Sequence, residues 1–188
     1  MNNYYYIAIA AFLLYLIFRK KEDSVEAAIA NSNTIIEEHM KAEIYNGLSA
    51  VLERYGADFA KNVERLYRLE SAHFKSQQFK KGFSAGMEAF GAEFPYGWTS
   101  LKEFINKEAP DLKPSDFSTF EMREGGTGKI KTFIKFPSVY YAMMFLAFVI
   151  EKRNSNFGSW YSKKPEAQQR YNEKLKTIRP RIVNELLA

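Results

Sequence analysis

The sequence predicts a mainly helical α+β domain with one small β-hairpin, preceded by an N-terminal transmembrane helix. Three observations predict it. Residues 4–18, YYYIAIAAFLLYLIF, carry no charge and run directly into Arg19, Lys20 and Lys21. Through most of the rest, apolar residues recur at spacings of three and four, the period of a helix with one buried face. A single stretch, residues 117–136, instead alternates on either side of Gly-Gly-Thr-Gly, the period and punctuation of paired strands. The chain has 188 residues, of which 46% are apolar, enough for one domain with a real core plus an appendage.

The N-terminal run is slightly shorter than the roughly 17–25 residues a spanning helix needs. Asn2, Asn3, the tyrosine hydroxyls and the snorkelling Arg19 and Lys20 make up the difference at the membrane–water interface. No positive region precedes the run and no small-residue cleavage site follows it, so residues 1–21 read as an uncleaved anchor and lipid as its partner. The basic cluster after the span places the rest of the chain on the cytoplasmic side by the positive-inside rule. Residues 22–34, EDSVEAAIANSNT, read as a linker or a loose helix. A helix from Thr34 to Tyr55 carries Ile35, Ile36, Met40, Ile44, Leu48, Val51 and Leu52 at helical spacing, and Gly56 ends it. Residues 22–56 thus form a linker and a first helix, ahead of a domain over 57–188.

Within that domain, Asp58 is positioned to cap a helix over 59–74. An irregular, aromatic- and glycine-rich segment follows, KKGFSAGMEAFGAEFPYGW, and then a short helix from Ser100 to Glu108. Pro110 and Pro114 mark a loop. The hairpin pairs the two segments around Gly-Gly-Thr-Gly. Ser138 starts an apolar helix, VYYAMMFLAFVIEKR, whose 12–13 apolar residues favour a core position over a second span. Helices over 165–179 and 181–187 close the chain around Pro180.

The charge is uneven. The chain carries +5 overall, but residues 22–125 hold 12 basic and 18 acidic residues, while residues 126–188 hold 12 and 4. A basic face of this kind suits a solvated surface or an anionic polymer such as a cell wall. The acidic middle and the lack of interleaved basic–aromatic runs argue against nucleic acid as a partner. Cysteine is absent, which excludes disulfides and thiol catalysis. With only His39 and His73 besides, no zinc site is expected. No phosphate-binding glycine loop and no G-x-S-x-G elbow is present, so the reading invokes no metal and no cofactor. The sequence sets no oligomeric state.

Periodicity singles out Glu70. At 100° per residue, Phe59, Val63, Leu66, Tyr67, Glu70 and Phe74 share one stripe, and Lys61, Glu64, Arg65 and Arg68 lie away from it. Glu70 therefore points to the core side near the C-terminal end of its helix. Loss of water and the negative end of the helix dipole both favour the neutral acid there, the form a general acid needs. An alternative is a plain ion pair with Arg65 or Arg68.

The stretch ESAHFKSQQF resembles the motif of lysozyme-like peptidoglycan hydrolases, in which a catalytic Glu ends a helix and is followed by Ser and, a few residues on, by a second Ser. Here these are Glu70, Ser71 and Ser76. The nearest resemblance is to the flagellar-type β-N-acetylglucosaminidase family, close to the lytic transglycosylases, whose motif runs E-S-x-x-G-x-S with a later asparagine and F-G. FSAGMEAFG, FEMREGGTGKIKTFIKFPS and WYSKKPEAQQRYNEKLKTI resemble the family's cleft segment, β-hairpin and closing helix, in the same order. His73 and Phe74 stand where the family has a small residue or glycine, and the asparagine before F-G is missing.

The resemblance implies a lysozyme-like domain over 57–188 that cleaves the β-1,4 glycan of peptidoglycan. It implies Glu70 as general acid and a second carboxylate on the hairpin, Glu121, with Glu124 as the alternate. If the hairpin acid is idle, the substrate's own acetamido or 6-hydroxyl group attacks. Ser76, Phe90, Trp160 and Tyr171 are the expected substrate contacts, with Tyr96 and Trp98 as further aromatic candidates. A cytoplasmic domain cannot reach peptidoglycan, so either the anchor inserts against the charge rule or the membrane belongs to a bacteriophage particle. The alternative function is a non-catalytic membrane or virion structural protein retaining the fold.

Overall fold

The computed structural model describes residues 37–88, 99–123 and 128–188. The expected anchor at 4–18, the linker at 22–34 and the candidates Phe90, Tyr96, Trp98 and Glu124 lie outside the described residues. Among the described residues no helix is long and apolar enough to cross a membrane. The chain divides into two compact units, Met1–Ala42 and Glu43–Ala188. In the first, residues 37–42 are helical. The second is mainly helical with one two-stranded antiparallel sheet, and it takes in more of the chain than the expected 57–188.

Residues 43–55 are helical (α1) and bury Ile44, Leu48 and Val51 at spacings of four and three. Gly56, at φ 84°, separates α1 from α2, Ala57–Glu70. Asp58 lies in the first turn of α2 but does not cap it; Gly56 holds the cap position. Val63, Leu66 and Tyr67 are fully buried, as the stripe requires; Phe59 is half-buried, and Ala60 beside it is fully buried. Glu64 is also fully buried, although periodicity turns it outward. The start of the last helix, Arg181–Leu186, lands on it, and Glu64 accepts from Ile182 N at 3.0 Å, Val183 N at 2.8 Å and Arg68 Nε at 2.7 Å.

α2 stops at Glu70, four residues before the expected end at 74. Ser71 Oγ donates to Tyr67 O and accepts from Phe74 N at 2.8 Å. Ala72, His73 and Phe74 then take φ of 49°, 58° and 68°, one left-handed turn. Ser76 caps α3, Gln77–Gly82, accepting from Phe79 N at 3.1 Å. The aromatic rings of Tyr67, Phe74 and Phe79 pack together around this corner, with centroids 5.5–6.2 Å apart.

α4 spans Thr99–Glu108. The hairpin pairs β1, Ser118–Arg123, with β2, Ile130–Lys135, in the register Glu121↔Thr132 and Phe120↔Phe133. The other edge of β2 takes the chain leaving α3: Ile134 N donates to Met87 O at 3.0 Å, Phe136 N donates to Gly82 O at 3.2 Å, and Glu88 bridges Phe133. α5, Val139–Glu151, begins where Ser138 Oγ accepts from Tyr141 N at 3.3 Å. Every residue from Ala142 to Ile150 is buried. Phe145 meets Phe104 of α4 edge-on at 5.3 Å and Phe136 at 5.5 Å. This is the expected core helix: apolar on all sides because protein covers all of them. A short 3₁₀ turn, Phe157–Trp160, leads to α6, Pro165–Lys176, and α7, Arg181–Leu186. α2 packs against α5, α6 and α7, so its C-terminal end faces α6.

Candidate active site

Glu70 is the last residue of α2 and is half-buried. Neither arginine near it in sequence pairs with it. Arg68 is committed to Glu64, with Nη2 2.6 Å from Oε1, and Arg65 donates to Ile178 O at 3.1 Å and Asn62 Oδ1 at 2.9 Å. The partner of Glu70 is Tyr171, on the facing side of α6, whose hydroxyl donates to Oε1 at 2.5 Å. Burial, then the Glu70 charge and the hydrogen bond to it, push the Tyr171 phenol well above its ordinary value. Tyr171 therefore keeps its proton and remains a donor. The other oxygen, Oε2, faces Gly86: a Cβ at that position would stand 3.8 Å away. Gly86 holds φ 77°, a conformation that suits a residue without a side chain.

The cavity at Glu70 has a volume of about 420 Å³ and is bounded by α6 and Tyr161. A second cavity, about 480 Å³, shares Tyr161 with the first and is lined by Gly86, Glu88, Thr99, Ser100, Arg153 and Trp160, among others. Tyr161 and the Gly86–Glu70 approach connect the two. Tyr161 is 65% exposed, and its ring lies flat on Tyr171, centroids 5.1 Å apart and 9° from parallel. Trp160 is half-buried and donates from Nε1 to Ala85 O at 3.1 Å, which fixes the backbone next to Gly86. The arrangement offers an acid with Oε1 held and no hydrogen bond to Oε2 among the described residues, beside an aromatic ring that is largely exposed.

No family model, curated protein or solved structure matches this chain.

Of the expected site residues, the structure brings Glu70, Tyr171 and Trp160 to one place. Tyr171 holds Glu70, a role distinct from the expected substrate contact, and Trp160 braces the Gly86 loop. Ser76 serves as a helix cap, and Phe90 lies outside the described residues. Glu121 is exposed on β1 opposite Thr132 and borders neither cavity. Among the described residues, no group of three or more His, Cys, Asp or Glu side chains could hold a metal.

Sequence reasoning missed two residues here. Glu88 lines the second cavity and pairs with Lys131 at 2.7 Å. It sits inside FSAGMEAFG, the segment already aligned with a cleft wall, and is the segment's one acid. Tyr161 is the neighbour of Trp160, and the Trp-Tyr pair just before Lys163 and Lys164 is the signal that would have found it.

Proposed function

We propose that this protein cleaves the β-1,4 glycan of peptidoglycan, with Glu70 as the general acid. The observation that carries this reading is the one-sided hold on Glu70. Tyr171 holds Oε1, Oε2 faces Gly86 with no hydrogen bond among the described residues, and Glu70 lines a cavity together with the exposed Tyr161. In the proposed reaction Glu70 gives its proton to the glycosidic oxygen as the bond from C1 to that oxygen breaks. Positive charge builds on the ring, and a nucleophile closes on C1. That nucleophile is water steered by a second carboxylate, or the substrate's own acetamido or 6-hydroxyl oxygen.

Glu121 remains the carboxylate that the family resemblance favours for the second role, and Glu88 is the one whose cavity placement favours it. The domain is lysozyme-like in this reading, and residues 4–18 hold it to a membrane, in the cell envelope or inside a phage particle. Protease treatment of intact cells or particles tests the placement, since full protection in host cytoplasm without particle association would overturn it.

The function is tested by incubating the full chain, in detergent, with purified peptidoglycan and weighing the products. Reducing N-acetylglucosamine ends mark a glucosaminidase, reducing N-acetylmuramic acid ends a muramidase and anhydromuramyl ends a transglycosylase. Glu70→Gln is expected to lower kcat by about 10²–10⁴-fold, the usual contribution of a positioned acid. Equal activity of the variant and wild type removes Glu70 from the mechanism. No products under any condition leave the non-catalytic structural role.

A further inference from the structure

The wall of the Glu70 cavity contributed by α6 is not neutral. Ala167, Arg170, Tyr171 and Lys174 follow one another at spacings of three, one and three, so they share one helix face, and all four line the cavity with Glu70 and Tyr161. Arg170 and Lys174 are exposed, and neither has an ion-pair partner among the described residues. Of the acids near this face, Glu173 pairs with Lys176 at 2.8 Å, and neither Glu166, one turn before Arg170, nor Glu70 forms an ion pair with Arg170 or Lys174 among the described residues. Two cations without an ion-pair partner among the described residues thus line the cavity beside the aromatic face and the acid, one helical turn apart.

We propose that this face is a subsite for the negative charge carried by the glycan, and that the charge it reads is the carboxylates of the peptide stems. The inference deepens the glycan-cleaving reading and rests on it. A neutral polysaccharide gains nothing from Arg170 and Lys174. A glycan whose alternate sugars carry acidic stems places carboxylates within reach of the α6 face while its ring lies against Tyr161. An arginine and a lysine at i and i+4 present a planar fork and a mobile point charge, a pairing suited to flexible stems more than to one fixed anion.

The test compares purified peptidoglycan, free of phosphate polymers, with the same material after its carboxylates have been converted to amides. For the full-length wild-type chain, amidation is expected to raise KM by about 10-fold, the loss of two exposed charge contacts. In Arg170→Gln/Lys174→Gln the ratio of the two KM values is expected to fall close to one. Both side chains are exposed, so an unchanged melting temperature verifies the fold of the variant. Equal wild-type KM on the two substrates overturns the inference, as does a variant that keeps the discrimination. Discrimination seen only with walls that still carry phosphate polymers overturns the carboxylate assignment. Cleavage of neither substrate overturns the glycan-cleaving reading together with the inference, whereas cleavage of both with equal KM overturns the inference alone.

Discussion

Glu70 is held at one oxygen by Tyr171 and faces Gly86 with the other, and each side has a residue whose change isolates it. Tyr171→Phe removes the donor to Oε1 and leaves the ring stacked on Tyr161. A carboxyl group that loses the hydrogen bond fixing one oxygen loses its fixed direction. The expected result is a kcat lower by about 10-fold with KM little changed, the pattern of an interaction that matters in the transition state. Steady-state kinetics on soluble glycan fragments measures it. Gly86→Ala acts on the open side. Its methyl would lie 3.8 Å from Oε2, in contact and without a clash, and so would cover the oxygen the substrate needs. The backbone adds a second cost, since φ 77° in a residue with a Cβ costs about 1–2 kcal/mol. Reduced kcat/KM and a lowered melting temperature are expected together. A loss of stability alone would mean that Oε2 is not the reacting oxygen.

At the scale of elements, the corner between α2 and α3 explains both what the sequence revealed and what it hid. The helical stripe through Val63, Leu66, Tyr67 and Glu70 was legible because its period is that of the helix itself. The early stop was not, because Ala72, His73 and Phe74 adopt left-handed conformations without glycine, which residue preference disfavours. Ser71 holds the turn through two hydrogen bonds and the rings of Tyr67, Phe74 and Phe79 anchor it. Tertiary packing therefore sustains a backbone that the local sequence resists. His73 is exposed and contributes no packing here. His73→Gly is expected to stabilise the protein by about 1 kcal/mol, read as a melting temperature raised by about 2–4 °C.

Glu64 was illegible for a different reason. Helical periodicity describes one buried face, and α2 has neighbours on several sides. The carboxylate that periodicity sends to solvent instead caps the start of α7 while paired with Arg68. Glu64→Gln keeps the shape, loses the charge and turns an amide toward backbone donors. Breaking a buried pair of this kind costs about 3–5 kcal/mol, which urea unfolding would register as a lower midpoint at unchanged slope.

For the whole molecule, helix and hairpin positions were legible because local patterns set them, whereas the site's partners come from distant parts of the chain. Tyr171 and Glu70 are 101 residues apart, and no local period links them; only the motif resemblance named both as site candidates. The same long-range packing gives the fold a pH dependence. Burial raises Tyr67 well above the ordinary tyrosine value, and its hydroxyl has no hydrogen-bond partner among the described residues. Burial and Glu70 raise Tyr171. Tyr141 is raised to about 12, chiefly by its hydrogen bond to Asp111, but its exposure makes its share small. Above about pH 10 the unfolded chain releases these protons while the native state retains them. The unfolded state then binds fewer protons, so stability falls as pH rises. The contribution is complete below about pH 10 and declines above it, by up to about 1.4 kcal/mol per pH unit for each of Tyr67 and Tyr171. Tyr67→Phe also removes a buried hydroxyl without a partner, so it is expected to raise stability at neutral pH by about 1 kcal/mol as well as to flatten the alkaline decline. Tyr67→Phe/Tyr171→Phe should flatten it further. Urea midpoints between pH 8 and 11 for the wild type and both variants measure this, and parallel curves for all three would show that the two phenols are not held neutral by the fold.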